Sequence, residues 1–189
     1  MKSVEVPAGV RLPFLDKGIS QVAMVVEDLD KTVENYYKVF GIGPWHFYTY
    51  ERPLVKHMTY HGKDVDYSMR VALSYFGPMR VELIEMKRGD TVYADFVRDH
   101  GYGVHHFGLV VENMQEAIQQ AEAAGYKVIM DGAGFGLDGD GHYASLDTEE
   151  PLGTFGEYFY LQFLPGNVQF GAGFFNGLID GFPFEFPCV

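Results

Sequence analysis

Ser20-Gln21-Val22-Ala23-Met24-Val25-Val26-Glu27-Asp28-Leu29 and His105-His106-Phe107-Gly108-Leu109-Val110-Val111-Glu112-Asn113-Met114 decide the architecture of this 189-residue chain, because they are one element written twice. Val-Val-Glu is identical in the two, and an acid or amide and then a large aliphatic residue follow it. Each segment starts as a buried strand rich in β-branched residues and ends at a polar helix start, with Asp28 and Asn113 placed as N-caps.

The match continues outward. Val33, Tyr36, Tyr37 and Phe40 recur at helical spacing and stop at Gly41, while Met114, Ile118, Ala121 and Ala124 do the same and stop at Gly125. Strands are expected next at Trp45 to Tyr50 and at Tyr126 to Met130. Tyr67 to Tyr75 and Met79 to Glu85 complete the first half; His142 to Asp147 and Thr154 to Phe163 complete the second. The chain therefore reads as βαβββ twice, an α+β fold of two fused modules. Residues 1–17 form an N-terminal extension, 18–86 the first module, 87–102 a crossover with its own short helix (Val92 to His100), 103–165 the second module and 166–189 an aromatic tail.

Strand alternation shows which side chains share a face. Gln21 lies with Ile19, Ala23 and Val25, and His106 with Val104, Gly108 and Val110, so both repeats carry a polar residue at the same place on an apolar face. Ala23 and Gly108 leave room beside them. In the last strand of each half, Glu82 shares a face with Ile84 and Met86, and Glu157 with Phe155 and Phe159. Carboxylates embedded in such strands are costly unless paired, protonated or on a metal. Gln21, Glu82, His106 and Glu157 thus form a candidate divalent-ion site, suited to Zn, Ni, Co, Mn or Fe. The competing reading makes His106 a hydrogen-bonded core histidine and pairs the carboxylates with Arg70 and Arg80.

These features resemble the vicinal oxygen chelate superfamily, which includes glyoxalase I, methylmalonyl-CoA epimerase, extradiol dioxygenases and antibiotic-resistance proteins. The four positions match the places, in the first and last strand of each module, that supply its metal ligands. Pro151-Leu152-Gly153-Thr154-Phe155-Gly156-Glu157 is similar to its turn-and-strand pattern, and Gly101-Tyr102-Gly103-Val104-His105-His106 and Gly43-Pro44-Trp45 resemble the epimerase-like subgroup. The resemblance implies an open, curved barrel around a metal cavity. Two departures matter. Gln21 stands where epimerases and dioxygenases of the family place His, which demotes ring-cleaving dioxygenase chemistry. No carboxylate occupies Tyr67 to Leu73, where the epimerases carry a second base.

The expected activity is a metal-dependent isomerase, epimerase or lyase that removes a proton beside a metal-bound carbonyl of a small hydroxycarbonyl, keto or acyl-thioester compound. Glu157 is the expected base and His61 the second acid–base group, with Trp45, Tyr48 and Tyr75 lining the substrate cavity. The alternative is a resistance-type protein that binds a small molecule without chemistry.

Composition sets outer bounds. Fourteen Lys and Arg against 26 Asp and Glu give a net charge of −12, which disfavours nucleic acid and membrane surfaces and speaks against a strongly anionic substrate such as a CoA ester. The single cysteine, Cys188, excludes an intrachain disulfide and a Cys-based zinc knuckle. No apolar run of membrane-spanning length occurs, so a cytoplasmic protein is expected. The expected partners are a small-molecule substrate and a second copy of the chain in a homodimer. The glycine-rich run Asp131 to Gly141 reads as a flexible loop at the cavity mouth. The tail, with Phe170, Phe174, Phe175, Phe182, Phe184 and Phe186, reads as packing over the barrel or onto a second subunit.

Overall fold

The computed structural model describes residues 18–136 and 138–160. The N-terminal extension, residues 161–165 and the aromatic tail lie outside them. The elements run β1 (Gln21–Val25), α1 (Leu29–Phe40), β2 (His46–Tyr50), β3 (His57–Tyr60), β4 (Lys63–Asp64), β5 (Ser68–Phe76), β6 (Met79–Arg88), α2 (Val92–His100), β7 (Gly103–Val110), α3 (Met114–Ala123), β8 (Val128–Phe135), β9 (Gly141–Leu146), α4 (Glu149–Leu152) and β10 (Phe155–Tyr160). All ten strands form one curled mixed sheet in the order β2-β5-β6-β1-β7-β10-β9-β8-β3-β4.

The two repeated segments meet at its centre. β1 pairs antiparallel with β7, setting Gln21 opposite Gly108 and Ala23 opposite His106. On either side, β1 runs parallel to β6 and β7 runs parallel to β10. The four strands expected to carry the polar residues are therefore neighbours, which is why residues far apart in sequence converge. Gly108 is required here: a Cβ would stand 2.8 Å from that of Gln21.

The helix signals work as read. The side chains of Asp28 and Asn113 accept from the backbone N–H groups of Lys31 and Glu116, and Gly41 closes α1 in a left-handed conformation. α1 packs Leu29 and Val33 onto Ala72 and Leu83, while α3 packs Met114, Ala117 and Ala121 onto Ala144, Leu146 and Tyr158. Each large aliphatic side chain so buried contributes about 1.5–3 kcal/mol. These layers cover the outer face of the sheet. The inner face holds a larger core that includes Ala23, Val25, Met58, Tyr67, Tyr93, Met130, Tyr143, Phe155 and Phe159.

Two features differ from the expectation. A hairpin, β3–β4, lies between β2 and β5 and crosses to pair with β8, so the first module completes the edge of the second. The glycine-rich run is not all loop, because residues 131–135 belong to β8. Its glycines serve packing: a Cβ on Gly132 would stand 2.3 Å from the Tyr143 ring. No helix of the described residues is long and apolar enough to cross a membrane.

Candidate metal centre

Glu82, His106 and Glu157 converge on the inner face, with their ligand atoms all within 4.8 Å of one another. Each comes from a different central strand, so strand register rather than a flexible loop fixes their separation. His106 Nε2 lies 3.3 Å from Glu82 Oε2 and 3.3 Å from Glu157 Oε1. Two ligand atoms each about 2.1 Å from a tetrahedral ion stand about 3.4 Å apart, so the observed spacing suits a divalent ion bound by one imidazole and two carboxylates.

Gln21 is fully buried beside them. Its Nε2 donates to Glu82 Oε2 at 2.7 Å and stands 3.1 Å from His106 Nε2, while its Oε1 accepts from Arg80 Nε. Arg80 can only donate, so the amide oxygen must face it and the amide nitrogen must face the carboxylate. Ligation through Gln21 Oε1 would need the amide to flip and to lose the Arg80 bond.

The second-module residues are locked from behind. Glu157 Oε2 accepts from Tyr93 at 2.9 Å and from Ser145 at 3.0 Å. His106 Nδ1 lies 3.0 Å from His105 Nδ1, which turns the His106 Nε2 edge toward the carboxylates. His105 stacks on Phe155 with centroids 4.7 Å apart and also meets Tyr93 and Phe96. Its Nε2 is buried without a hydrogen bond. Glu82 is held more loosely: its side chain is 13% exposed, against 6% for Glu157.

Charge follows from this packing. Burial works against a charged His106, but Glu157 and Glu82 outweigh it and carry the imidazole up to about 9. Burial alone would raise Glu157; the His106 charge and the bonds from His106, Tyr93 and Ser145 hold it below the usual carboxylate value. Burial, reinforced by the neighbouring His106 charge, keeps His105 far below the ordinary histidine value.

The structure brings Gln21, Glu82, His106 and Glu157 together, and gives the other expected residues different surroundings. Tyr48 is half-buried and close enough to Arg80 for that charge to act on its hydroxyl, which burial pushes up to about 12. Tyr75 is paired with Arg80 in the sheet but is 51% exposed. Trp45 packs with Tyr36 in the α1 layer, donating to Ile42 O, on the outer face. His61 is exposed at the β3–β4 turn with a left-handed φ of 48°, where its ring meets Tyr60. Arg70 pairs with Asp30 and Glu85 rather than with Glu82 or Glu157.

Tyr93, Ser145 and the orienting role of His105 were not read from the sequence. Tyr93, Phe96, Val97 and His100 do recur at helical spacing, and that stripe was the available signal for an inward face on α2. Nothing in the sequence marks Ser145 apart from its alternation with Tyr143.

A family model for the glyoxalase/bleomycin resistance protein/dioxygenase superfamily matches residues 20–144, which hold Gln21, Glu82 and His106. The chain belongs to that superfamily. No curated protein matches it. Several solved structures are similar to it in fold at low sequence identity. Methylmalonyl-CoA epimerase from Mycobacterium tuberculosis has a TM-score of 0.55 at 18% identity, over 80% of this chain and 93% of that one. A variant of the Streptomyces coelicolor methylmalonyl-CoA epimerase, in complex with 2-nitronate-propionyl-CoA, scores 0.53 at 21% identity, over 75% and 95%. A hypothetical protein from Bacillus halodurans C-125 scores 0.55 at 18% identity, over 79% and 97%. These likenesses concern the fold.

Proposed function

We propose that the protein is a divalent-metal-dependent isomerase or epimerase acting by proton transfer beside a carbonyl of a small substrate. The observation that carries this reading is the convergence of Glu82, His106 and Glu157, inward-facing and spaced for one ion. Methylmalonyl-CoA epimerases among the structural neighbours support the reaction class. An ion held by these residues would polarise a substrate carbonyl and make the adjacent C–H more acidic.

The chain's own residues divide the remaining work. His106, oriented by His105, and Glu157, fixed by Tyr93 and Ser145, are the rigid holders. For Glu157 to take a proton on Oε2 it would have to give up two hydrogen bonds. Glu82, less buried and bonded to the Gln21 amide, can turn to a substrate carbon more cheaply, so we assign it the proton-abstracting role ahead of Glu157. His61 is exposed on the hairpin turn, whereas Tyr48 is close enough to Arg80 for that charge to act on its hydroxyl, so Tyr48 replaces His61 as the group we assign to return the proton. A two-histidine, one-carboxylate iron site is disfavoured because His105 directs neither nitrogen at the cluster.

A second reading rests on the same distances: a protonated His106 between two carboxylates closes the group without metal, as in a protein that only binds ligand. Metal analysis separates them, and α-proton exchange into deuterated water then tests the chemistry. Exchange in the wild type that is lost in Glu82→Gln with metal still bound supports the assignment; exchange that persists in that variant removes it.

A further inference from the structure

Arg80 sits two residues before Glu82 on the same face of β6, with Gln21 as its cross-strand partner on β1. Its guanidinium carbon lies 3.9 Å from the centroid of the Phe159 ring, a buried inner-face residue. Its Nε donates to Gln21 Oε1, and among the described residues neither Nη has a hydrogen-bond partner. It makes no ion pair among them either, whereas Arg52, Arg70, Arg88 and Arg98 are each paired with an aspartate. Arg80 is also the only lysine or arginine among the described residues hydrogen-bonded to a member of the Gln21–Glu82–His106–Glu157 group.

This cation has been made rigid without being neutralised. Stacking on Phe159 and the Gln21 bond fix the plane of the guanidinium, and the Nη pair is the edge that accepts a carboxylate in two parallel bonds. Two carboxylates and a divalent ion would balance each other's charge, so further negative charge on a substrate meets its partner in Arg80. A single amide, that of Gln21, bridges the guanidinium and the Glu82 carboxylate, so a substrate reaching both places is short.

We propose that Arg80 binds a substrate carboxylate, and that the site takes a short 2-oxo or 2-hydroxy dicarboxylic acid whose 2-oxo- or 2-hydroxy-acid end meets the ion and whose far carboxylate meets the Nη edge. The inference rests on the metal-dependent reading above and narrows its substrate class. In a chain of net charge −12, this inward cation also offsets the repulsion that a dianion would otherwise meet.

The test uses the full chain loaded with Zn²⁺, metal content being measured first. Calorimetry then compares 2-oxoglutarate with 2-oxopentanoate, and oxaloacetate with 2-oxobutanoate, pairs that differ by the far carboxylate. The wild type should prefer one or both diacids by about tenfold or more, in line with a charge-assisted bidentate contact. Arg80→Met should still take up Zn²⁺ and should bind each diacid no better than its monoacid partner. Arg80→Lys should keep part of the preference, since it retains charge but not the fork. A metal-loaded wild type without preference for either diacid, or a preference that survives in Arg80→Met, overturns the proposal and leaves the metal reading standing. A protein that binds no metal overturns both.

Discussion

The two modules place matched residues on matched strands, yet they treat them differently. In the second, His106 and Glu157 are buried and fixed from behind by His105, Tyr93 and Ser145. In the first, Glu82 is partly exposed and Gln21 turns its amide between Glu82 and a cation. One half of the repeat has become a rigid holder and the other an adjustable face. The repeat gives the backbone its symmetry; the groups packed behind each polar side chain remove it.

The sharpest way to break this contrast is to delete a rigid member. His106→Ala leaves two carboxylates facing each other without their shared partner, and uncompensated buried charge costs about 3–5 kcal/mol. Urea unfolding of the metal-free protein should show a loss of that size, with Zn²⁺ affinity reduced beyond measurement. A loss below about 1 kcal/mol would show that the second module is not the rigid half.

Tyr93→Phe probes the backing alone. It removes one of two donors to a buried carboxylate oxygen, which costs about 1–3 kcal/mol, and weakens metal binding by about 10–100-fold. Gln21→Ala, on the adjustable side, should weaken Zn²⁺ binding less than Tyr93→Phe does. Competitive titration of both variants checks the order, and the reverse order would contradict the division of labour.

A smaller effect is expected with pH. The His106 value of about 9 lies above the ordinary value of 6.5, so metal must displace a proton throughout the neutral range. Apparent Zn²⁺ affinity should rise about tenfold per pH unit between pH 7 and 9, then level off, with about one proton released per ion at pH 7.5. In the metal-free protein, the stability from the raised value is fully present below pH 6.5 and is lost as pH climbs through about 9. Thermal melts of the metal-free form should therefore fall over that window, and melts that rise across it would contradict the charged His106.

What the sequence disclosed divides along similar lines. Periodicity and caps exposed the repeat, both ends of α1, the start of α3 and the inward position of all four central polar residues, because strand alternation and helix stops are local. The β3–β4 hairpin escaped, since its pairing with β8 is decided by the far module and its strands are short. The glycines of β8 resembled loop glycines because the Tyr143 ring that demands Gly132 lies on another strand. Trp45 and His61 look like cavity residues as aromatic or titratable letters, and only the register of β2 and the turn at His61 show where they sit. The Arg80–Gln21 bond was unreadable for the same reason: it joins two strands whose parallel pairing comes from tertiary structure.

The most direct measurement is elemental analysis of the full chain purified without added ions, beside a calorimetric Zn²⁺ titration of the wild type and of His106→Ala. Glu82, His106 and Glu157 as a metal centre predict about one divalent ion per chain, taken up by the wild type and not by the variant. Less than about a tenth of an equivalent, with no gain in thermal stability on adding Zn²⁺, Ni²⁺, Co²⁺ or Mn²⁺, would contradict it.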